Sequence, residues 1–337
     1  MTSPPQTVLV TGATGFLGSY IVDSYVQRQI PVKAMARKTS DLACLQPHLD
    51  AGKVTLTEGS MTDRASLYRA VEGVARIIHA AAVIGPDIPH KVYEQVNVEG
   101  TRVLLAAAVA AGVERFTLIS SVSTYGHGVI PGGVVTEETP QSPSTPYGQS
   151  KLAQQELVFE TYHQYGLPVV SIEPPFIYGP RARVGVGQAV SLVKRRIAPL
   201  LDYGRGRINL VYVTDVVSLL EAADATEAAL GERFLAPGPR FVPHQEILQT
   251  IAASLGARPF YLPVPLWLTY IGLTVNNTFL RLRGKDVFLA ANYLYGFTKG
   301  ADYRPDKARR VLGWQPKVDI AEGLPKTVAW FVANGLV

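Results

Sequence analysis

The sequence is short of several things, and each shortage excludes something. One cysteine, Cys44, in 337 residues rules out an intramolecular disulfide and a multi-cysteine zinc site, which fits a reducing compartment. No metal site is expected. No stretch reaches the ~18 uninterrupted apolar residues that a spanning helix needs. The nearest, Leu262 to Leu282, is broken by Pro263, Pro265, Asn276 and Asn277. It is expected to form a core or lid helix. Arg281, Arg283 and Lys285 at its border keep a peripheral membrane contact open as the second reading. Met1 to Gln6 holds no basic segment ahead of an apolar one, so a cytoplasmic location is expected. There is no internal repeat and no long basic run. With 32 Lys and Arg against 27 Asp and Glu, the net charge of +5 can favour an anionic cofactor but does not imply nucleic acid as a partner.

What is present is apolar and regular. At 47% hydrophobic and 18% charged, the chain can bury a large core. Its length, at roughly 100–200 residues per domain, suggests one domain with a sizeable second lobe. Short apolar runs at Thr7–Thr11, Val32–Ala36, Val54–Glu58, Arg76–Ala80, Phe116–Ser120 and Val169–Glu173 alternate with helical stretches at Gly15–Gln29, Asp63–Val71, Gly100–Ala111 and Pro146–Tyr165. That alternation predicts an α/β fold, a doubly wound parallel sheet with helices on both faces. After Gly179 prolines punctuate shorter segments, which marks the second lobe. Residues 1–178 with about 207–236 are expected to form the nucleotide-binding domain, and about 179–206 with 237–337 a smaller C-terminal α/β substrate lobe.

Thr11-Gly12-Ala13-Thr14-Gly15-Phe16-Leu17-Gly18 follows the first strand and opens the first helix. Glycines there allow a tight turn and close approach to a pyrophosphate, while the helix N-terminus offers amide donors and partial positive charge. An NAD site wants a carboxylate at the end of the second strand. Here that strand ends Met35-Ala36-Arg37-Lys38. Two cations suit the 2′-phosphate of NADP(H), which is the expected cofactor, with NAD(H) the alternative.

Ser144-Thr145-Pro146 reads as a helix start, so Tyr147 and Lys151 fall one turn apart on one face near its N-terminus. A phenol with an ordinary pKa of about 10 is a poor base at neutral pH, but an ammonium and the positive end of a helix favour its phenolate. Tyr147 becomes a usable proton donor and acceptor. Ser120 and Ser121 end the fifth strand, at the edge of the sheet where ligands bind in doubly wound folds. A serine hydroxyl there can hold a carbonyl oxygen near the tyrosine.

These stretches resemble an extended short-chain dehydrogenase/reductase, from Val8 to about Phe331. The likeness is carried by TGATGFLG (11–18), HAAA (79–82), NVEGT (97–101), SSVSTYG (120–126), YGQSK (147–151), PPFIYGPR (174–181), VYVTDVV (211–217) and KARRVLGWQP (307–316). The resemblance implies a catalytic set of Ser121, Tyr147 and Lys151, with Tyr147 and Lys151 also at the cofactor. It places Gly12, Thr14, Gly15 and Gly18 in the phosphate loop, with pyrophosphate amides from Phe16 and Leu17. Ala80, Ala81 and Ala82 would line the cofactor, Asn97 would brace the loop after the fourth strand, and Pro174 and Ile177 would border the nicotinamide. Two departures stand out. Where the family usually has an Asp on the adenine amine, this chain has Ser60-Met61, so that contact would rest on Ser60 or on Met61 packing. Where the family usually has Arg before Pro174, this chain has Glu173.

Members acting on nucleotide sugars resemble one another in an Asn and an Arg that bind the diphosphate. Those places hold Phe176 and Ile208 here, although Arg181, Arg205 and Arg207 lie nearby. The second lobe clusters Phe260, Tyr261, Leu262, Leu266, Trp267, Leu268, Tyr270, Phe279, Phe288, Tyr293, Tyr295 and Phe297, each expected in its core and together able to build an apolar pocket. Ser123, Phe176 and Tyr178 are the expected substrate contacts. The chain is most similar to the 3β-hydroxysteroid dehydrogenase and dihydroflavonol reductase side of the superfamily. It therefore reads as an NADP(H)-dependent oxidoreductase acting on a hydrophobic ketone or alcohol. A nucleotide-sugar epimerase or dehydratase is the first alternative and a non-catalytic cofactor sensor the second. A homodimer is compatible with either enzyme reading.

Overall fold

A computed structural model describes residues 6–85, 88–126, 133–182, 185–283 and 300–337. Strands β1 (Val8–Thr11), β2 (Val32–Ala36), β3 (Val54–Glu58), β4 (Arg76–His79) and β5 (Arg115–Ile119) come first. They are followed by β6 (Val134–Val135), β7 (Val169–Glu173), β8 (Phe176–Tyr178), β9 (Ile197–Leu201), β10 (Arg207–Tyr212), β11 (Glu232–Leu235), β12 (Phe241–Pro243), β13 (Phe260–Val264) and β14 (Asp302–Tyr303). The helices are α1 (Phe16–Gln27), α2 (Gln46–Asp50), α3 (Arg64–Val71), α4 (His90–Tyr93), α5 (Gly100–Ala110) and α6 (Pro146–Tyr165). The later ones are α7 (Val186–Lys194), α8 (Val213–Asp224), α9 (His244–Ser254), α10 (Leu266–Leu282), α11 (Asp306–Leu312) and α12 (Ile320–Ala333).

Seven strands form one parallel sheet in the order β11-β7-β5-β4-β1-β2-β3, the doubly wound arrangement expected from the sequence. β1, β5 and β7 are buried along their whole length, as strands covered on both faces must be. One face packs on Ile21, Val22 and Tyr25 of α1, Leu219 of α8 and Trp314 just beyond α11. The other packs on Leu67 of α3, Leu104 of α5 and Val158 of α6. The strand order reverses between β1 and β4, and crevices at such points take ligands.

The second lobe is built around β10, which pairs in parallel with β8 and antiparallel with β12. The residues from 207 to 212 thus pair within this smaller sheet. α8 and β11 return to the large sheet, and so does α11, whose Ala308 joins its core. Asp215 fastens the returning C-terminal segment by accepting the backbone N–H groups of Lys317 (3.0 Å) and Val318 (2.9 Å).

The apolar stretch after residue 260 differs from expectation. Phe260, Leu262, Trp267, Leu268, Tyr270 and Phe279 are exposed, so this segment is neither a core helix nor the lining of an interior pocket. α10 is seated by Leu266, Thr269, Leu273, Asn277 and Leu280 and leaves most of its other side chains exposed. Lys285, Phe288, Tyr293, Tyr295 and Phe297 lie outside the described residues.

Candidate active site

The glycine loop starts with a left-handed residue. Gly12 has φ +69°, and a Cβ there would sit 2.8 Å from the Ala81 nitrogen, so both conformation and space demand glycine. At Gly18 a Cβ would lie 2.0 Å from the Gly12 carbonyl oxygen, which is how closely α1 approaches the loop. Gly15 differs. It is exposed, and its Cβ would meet only the Gly12 oxygen at 3.1 Å, leaving the outer face open. No side chain caps α1 and no acid stands in its first turn. Uncapped amides of Phe16, Leu17 and Gly18 at the positive end of a helix fit a pyrophosphate. Thr14 lies half-buried in the same loop.

At the end of β2 both Arg37 and Lys38 are exposed, in a turn closed by Ser40 N–H to the Arg37 carbonyl (2.9 Å). Neither forms an ion pair among the described residues. Ser60 is half-buried with its hydroxyl 3.0 Å from that of Thr62. Met61 is buried beneath α5, where a Cβ on Gly100 would approach the Met61 carbonyl oxygen to 2.6 Å.

The loop after β4 is held from two sides. The Thr11 hydroxyl oxygen accepts the Ala81 N–H (3.2 Å). Asn97 accepts the Val83 N–H at Oδ1 (2.8 Å) and donates to the Val83 carbonyl (3.2 Å) and to the Ser150 hydroxyl (2.9 Å). Ala80 to Ala82 are thereby fixed beside the glycine loop and tied to α6. Asn97 lies on a π-helical turn, Glu94–Glu99, between α4 and α5.

Helix α6 starts at Thr145, whose hydroxyl accepts the Gly148 N–H (3.1 Å) ahead of Pro146. Tyr147 is half-buried with its ring 6.2 Å from that of Tyr93. Beside it runs the short turn after β5, in which Ser121 Oγ accepts the Ser123 N–H (3.1 Å). A Cβ on Gly148 would stand 2.5 Å from the Ser123 carbonyl oxygen. Glycine after Tyr147 is what lets the tyrosine's helix approach the serine turn so closely. The Ser123 hydroxyl is buried and has no hydrogen-bond partner among the described residues.

Lys151 is almost completely buried, and its ammonium donates to the Ile119 carbonyl and to Gln154 Oε1, both at 2.7 Å. Gln154 in turn donates to the Thr101 hydroxyl (2.7 Å), and the proton of that hydroxyl goes to the Asn97 carbonyl (2.5 Å). Thr101 must therefore accept from His79 Nε2 (2.9 Å), which assigns His79 the Nε2–H tautomer. Nδ1 then accepts from the Thr11 hydroxyl (2.7 Å). One polar chain runs from Lys151 to the strand that carries the glycine loop. Burial, reinforced by the Lys151 charge, lowers the His79 pKa to about 3, so the ring is neutral. Gln154 is absent from the sequence reading, and His79 and Thr101 enter it only within quoted stretches and without a role, because a lone polar residue in a helix or strand carries no sign of facing inward.

Burial lowers the Lys151 pKa from 10.5 to about 7. Above the unfolded value neither state is charged at this site. Between that value and about 7 the unfolded chain holds a proton that the folded chain lacks, so stability falls as pH drops through this window and is level below it. Cofactor-free protein is expected to gain up to about 1.4 kcal/mol per pH unit from this group on going from pH 7 to pH 9. Urea denaturation at the two pH values checks it. Lys151→Met should lack the gain, and an equal gain in that variant would assign it to another group.

Glu173 now has a physical explanation. It is fully buried, accepts from Tyr125 Oη (2.7 Å), and lies 3.9 Å from Arg233 of β11. The cation missing from its own strand comes from the neighbouring one. Burial raises its pKa to about 7. The carbonyl of the buried Pro174 accepts the Val122 N–H (3.2 Å), and Ile177 packs on the large sheet's core. Tyr178 is fully buried against Tyr212 (5.3 Å between rings), and a Cβ on Gly323 would meet its hydroxyl at 2.4 Å. Phe176 is half-buried and close-packed on Gly185, whose Cβ would lie 2.1 Å from the ring. Among the described residues no three His, Cys, Asp or Glu side chains gather into a metal site.

A model of the NAD dependent epimerase/dehydratase family matches residues 8–234. The chain belongs to that family. It is an extended short-chain dehydrogenase/reductase on the 3β-hydroxysteroid dehydrogenase-like side, an enzyme of a family that works on CH–OH centres with NAD(P). Sterol demethylase protein B of Methylococcus capsulatus is 32% identical over 98% of this chain and 100% of its own. UDP-glucose 4-epimerase of Vibrio cholerae is 25% identical over 97% and 96%. The structure of the dTDP-glucose 4,6-dehydratase DesIV from Streptomyces venezuelae with NAD bound superposes with a TM-score of 0.78, at 26% identity and 98% coverage of both chains. Similarity thus extends to sterol and to nucleotide-sugar members of the family.

Proposed function

We propose that this family member is a cytoplasmic NADP(H)-dependent oxidoreductase that interconverts a secondary alcohol and a ketone on a hydrophobic substrate of steroid-, lipid-, polyketide- or flavonoid-like character. The observation that carries this reading is the fate of the groups a diphosphate would need. Ile208 is buried in the core of the second lobe, and Phe176 packs on Gly185. Arg181 is held by Asp23 (2.8 Å) and Ser19 (3.1 Å) and stacks on Tyr20. A diphosphate left unpaired beside such groups costs several kcal/mol.

On this proposal the roles are assigned as follows. The glycine loop and the α1 amides hold the pyrophosphate, and Arg37 and Lys38 face the 2′-phosphate. When bound, the nicotinamide supplies or accepts the hydride. Tyr147 gives or takes the proton at the substrate oxygen. Lys151 would hold the nicotinamide ribose and, when charged, keep the tyrosine acidic enough to do so. Ser121 Oγ orients the carbonyl. The unsatisfied Ser123 hydroxyl is suited to a polar atom of the substrate, since a buried hydroxyl without a partner is unfavourable by ~1–3 kcal/mol. The large sheet with its helices holds the cofactor and the β10 lobe the substrate.

Arg37→Ala is expected to weaken NADPH binding by on the order of 1–3 kcal/mol and to leave NADH binding nearly unchanged. Calorimetric titration with each cofactor reads this directly, and an equal loss for both would remove Arg37 from the 2′-phosphate site.

A second reading, nucleotide-sugar epimerase or dehydratase, is favoured by Arg205 and Arg207, which are exposed and without ion pairs among the described residues. One experiment separates the two readings. NADPH oxidation is followed over sterol, long-chain keto and aromatic ketone panels, alongside calorimetry with UDP, TDP and GDP in the presence of cofactor. Turnover of apolar ketones without nucleotide binding is the expected result. Micromolar nucleotide binding that disappears in Arg205→Ala or Arg207→Ala would replace the first reading by the second.

A further inference from the structure

Helix α10 turns its apolar side outward. Trp267, Ile271, Val275 and Phe279 recur every four residues and so form one stripe, with Leu268 and Leu282 beside it. All six are exposed, Trp267 at 65%, Val275 at 64% and Leu282 at 82%. The opposite side carries the partly buried Leu266, Thr269, Leu273 and Leu280 and the buried Asn277. Strand β13, which leads into α10 through Pro265, adds Phe260, 71% exposed, and Leu262. Its partner strand β9 places the exposed Ile197 opposite Phe260.

The rim of this face is basic. Lys194, Arg195 and Arg196 are exposed just before β9, and the Phe260 N–H donates to the Arg196 carbonyl (2.9 Å), which fixes these cations at the border of the strand pair. Arg258 is exposed at the start of β13, and the Arg283 guanidinium lies 4.1 Å from the Phe279 ring centroid. From Ile247 to Lys285 the sequence contains no Asp or Glu.

We propose that this face docks on an anionic lipid surface. The α10 stripe and Phe260 enter the boundary between headgroups and acyl chains, and Lys194, Arg195, Arg196, Arg258 and Arg283 meet the headgroups. The helix lies in the plane of the surface. At 17 residues and ~1.5 Å per residue it falls short of the ~30 Å hydrocarbon core, and among the described residues no helix is long and apolar enough to cross a membrane. A second copy of the chain is the weaker occupant, because a two-fold contact would set the same basic rim against itself. The proposal is independent of the catalytic reading.

The test is flotation of the full chain with vesicles of phosphatidylcholine alone and of phosphatidylcholine containing phosphatidylglycerol. Binding is expected only with the anionic vesicles, weakened by salt and accompanied by a blue shift of tryptophan emission. The Lys194→Glu, Arg195→Glu, Arg196→Glu triple variant should bind at least about tenfold more weakly. The Trp267→Ser, Phe279→Ser double variant should lose both binding and the blue shift, while circular dichroism and the thermal midpoint report its fold. Absence of flotation, equal flotation with neutral vesicles, or binding indifferent to both variants would overturn the proposal. So would a wild-type dimer that the Trp267→Ser, Phe279→Ser variant turns into a monomer, which would assign the face to a second copy.

Discussion

Tyr147→Phe is expected to bind cofactor as the parent does and to turn over roughly 10²–10⁴ times more slowly, the range contributed by a positioned acid–base group. The substitution deletes one oxygen and leaves the ring to pack against Tyr93, whose centroid lies 6.2 Å away. Helix α6 keeps its Thr145 cap, and Lys151 keeps its bonds to Ile119 and Gln154. The loss should therefore fall on kcat, with the thermal midpoint unchanged. Steady-state kinetics on the ketone found in the panel screen supply the measurement, and more than about a hundredth of the parent kcat would mean that another group moves the proton.

Gly148→Val is expected to lower kcat by on the order of a hundredfold without touching any reacting group, since displacements near 1 Å between catalytic groups have effects of that size. A Cβ at this position would stand 2.5 Å from the backbone oxygen of Ser123 and 3.1 Å from Pro143. The backbone oxygen cannot rotate away, so α6 and the Ser121 turn must part, carrying Tyr147 from Ser121. Lys151 rides on the same helix, so a loss of NADPH affinity should accompany the fall in kcat. A kcat within a factor of about three of the parent would show that the turn gives way without disturbing the pair.

The legible parts of the molecule were those where one physical constraint dominates. β1, β2 and β7 stand out because strands buried on both faces must be apolar nearly throughout, and the glycine loop because only glycine takes φ +69° at Gly12 with Ala81 so near. β11 does not stand out, because only two of the four positions of Glu232-Arg233-Phe234-Leu235 are apolar; its Arg233 lies beside Glu173. Tyr178 reads as a substrate contact because Phe176 and Tyr178 share one side of β8 and lie next to the active-site motif. What the sequence could not reveal is that Gly323 of α12 leaves room for the Tyr178 ring to be buried in the lobe. The apolar residues of α10 read as core because burial is the usual fate of such side chains, and that expectation fails where a helix with apolar residues all round is seated by only one side. The buried route from Lys151 through Gln154, Thr101 and His79 to Thr11 joins four separate elements, so no local pattern could expose it.

The π-helical turn at Glu94–Glu99 has a consequence for how this protein tolerates changes in length. It accommodates one residue more than a regular turn between α4 and α5, and it sets the rotational phase between the two halves of a nearly continuous helix. Ahead of the phase change Tyr93 meets Tyr147. Within it Asn97 meets Val83 and Ser150, and after it Gly100 and Thr101 meet Met61 and His79. Removing a single residue would turn one half by about 100° relative to the other, because each residue of a helix with 3.6 residues per turn advances by that angle. All of these contacts cannot survive such a rotation together. Single-residue deletions that surface loops absorb freely should be intolerable between His90 and Ala110, and viable length variants should instead cluster in the turns outside this segment.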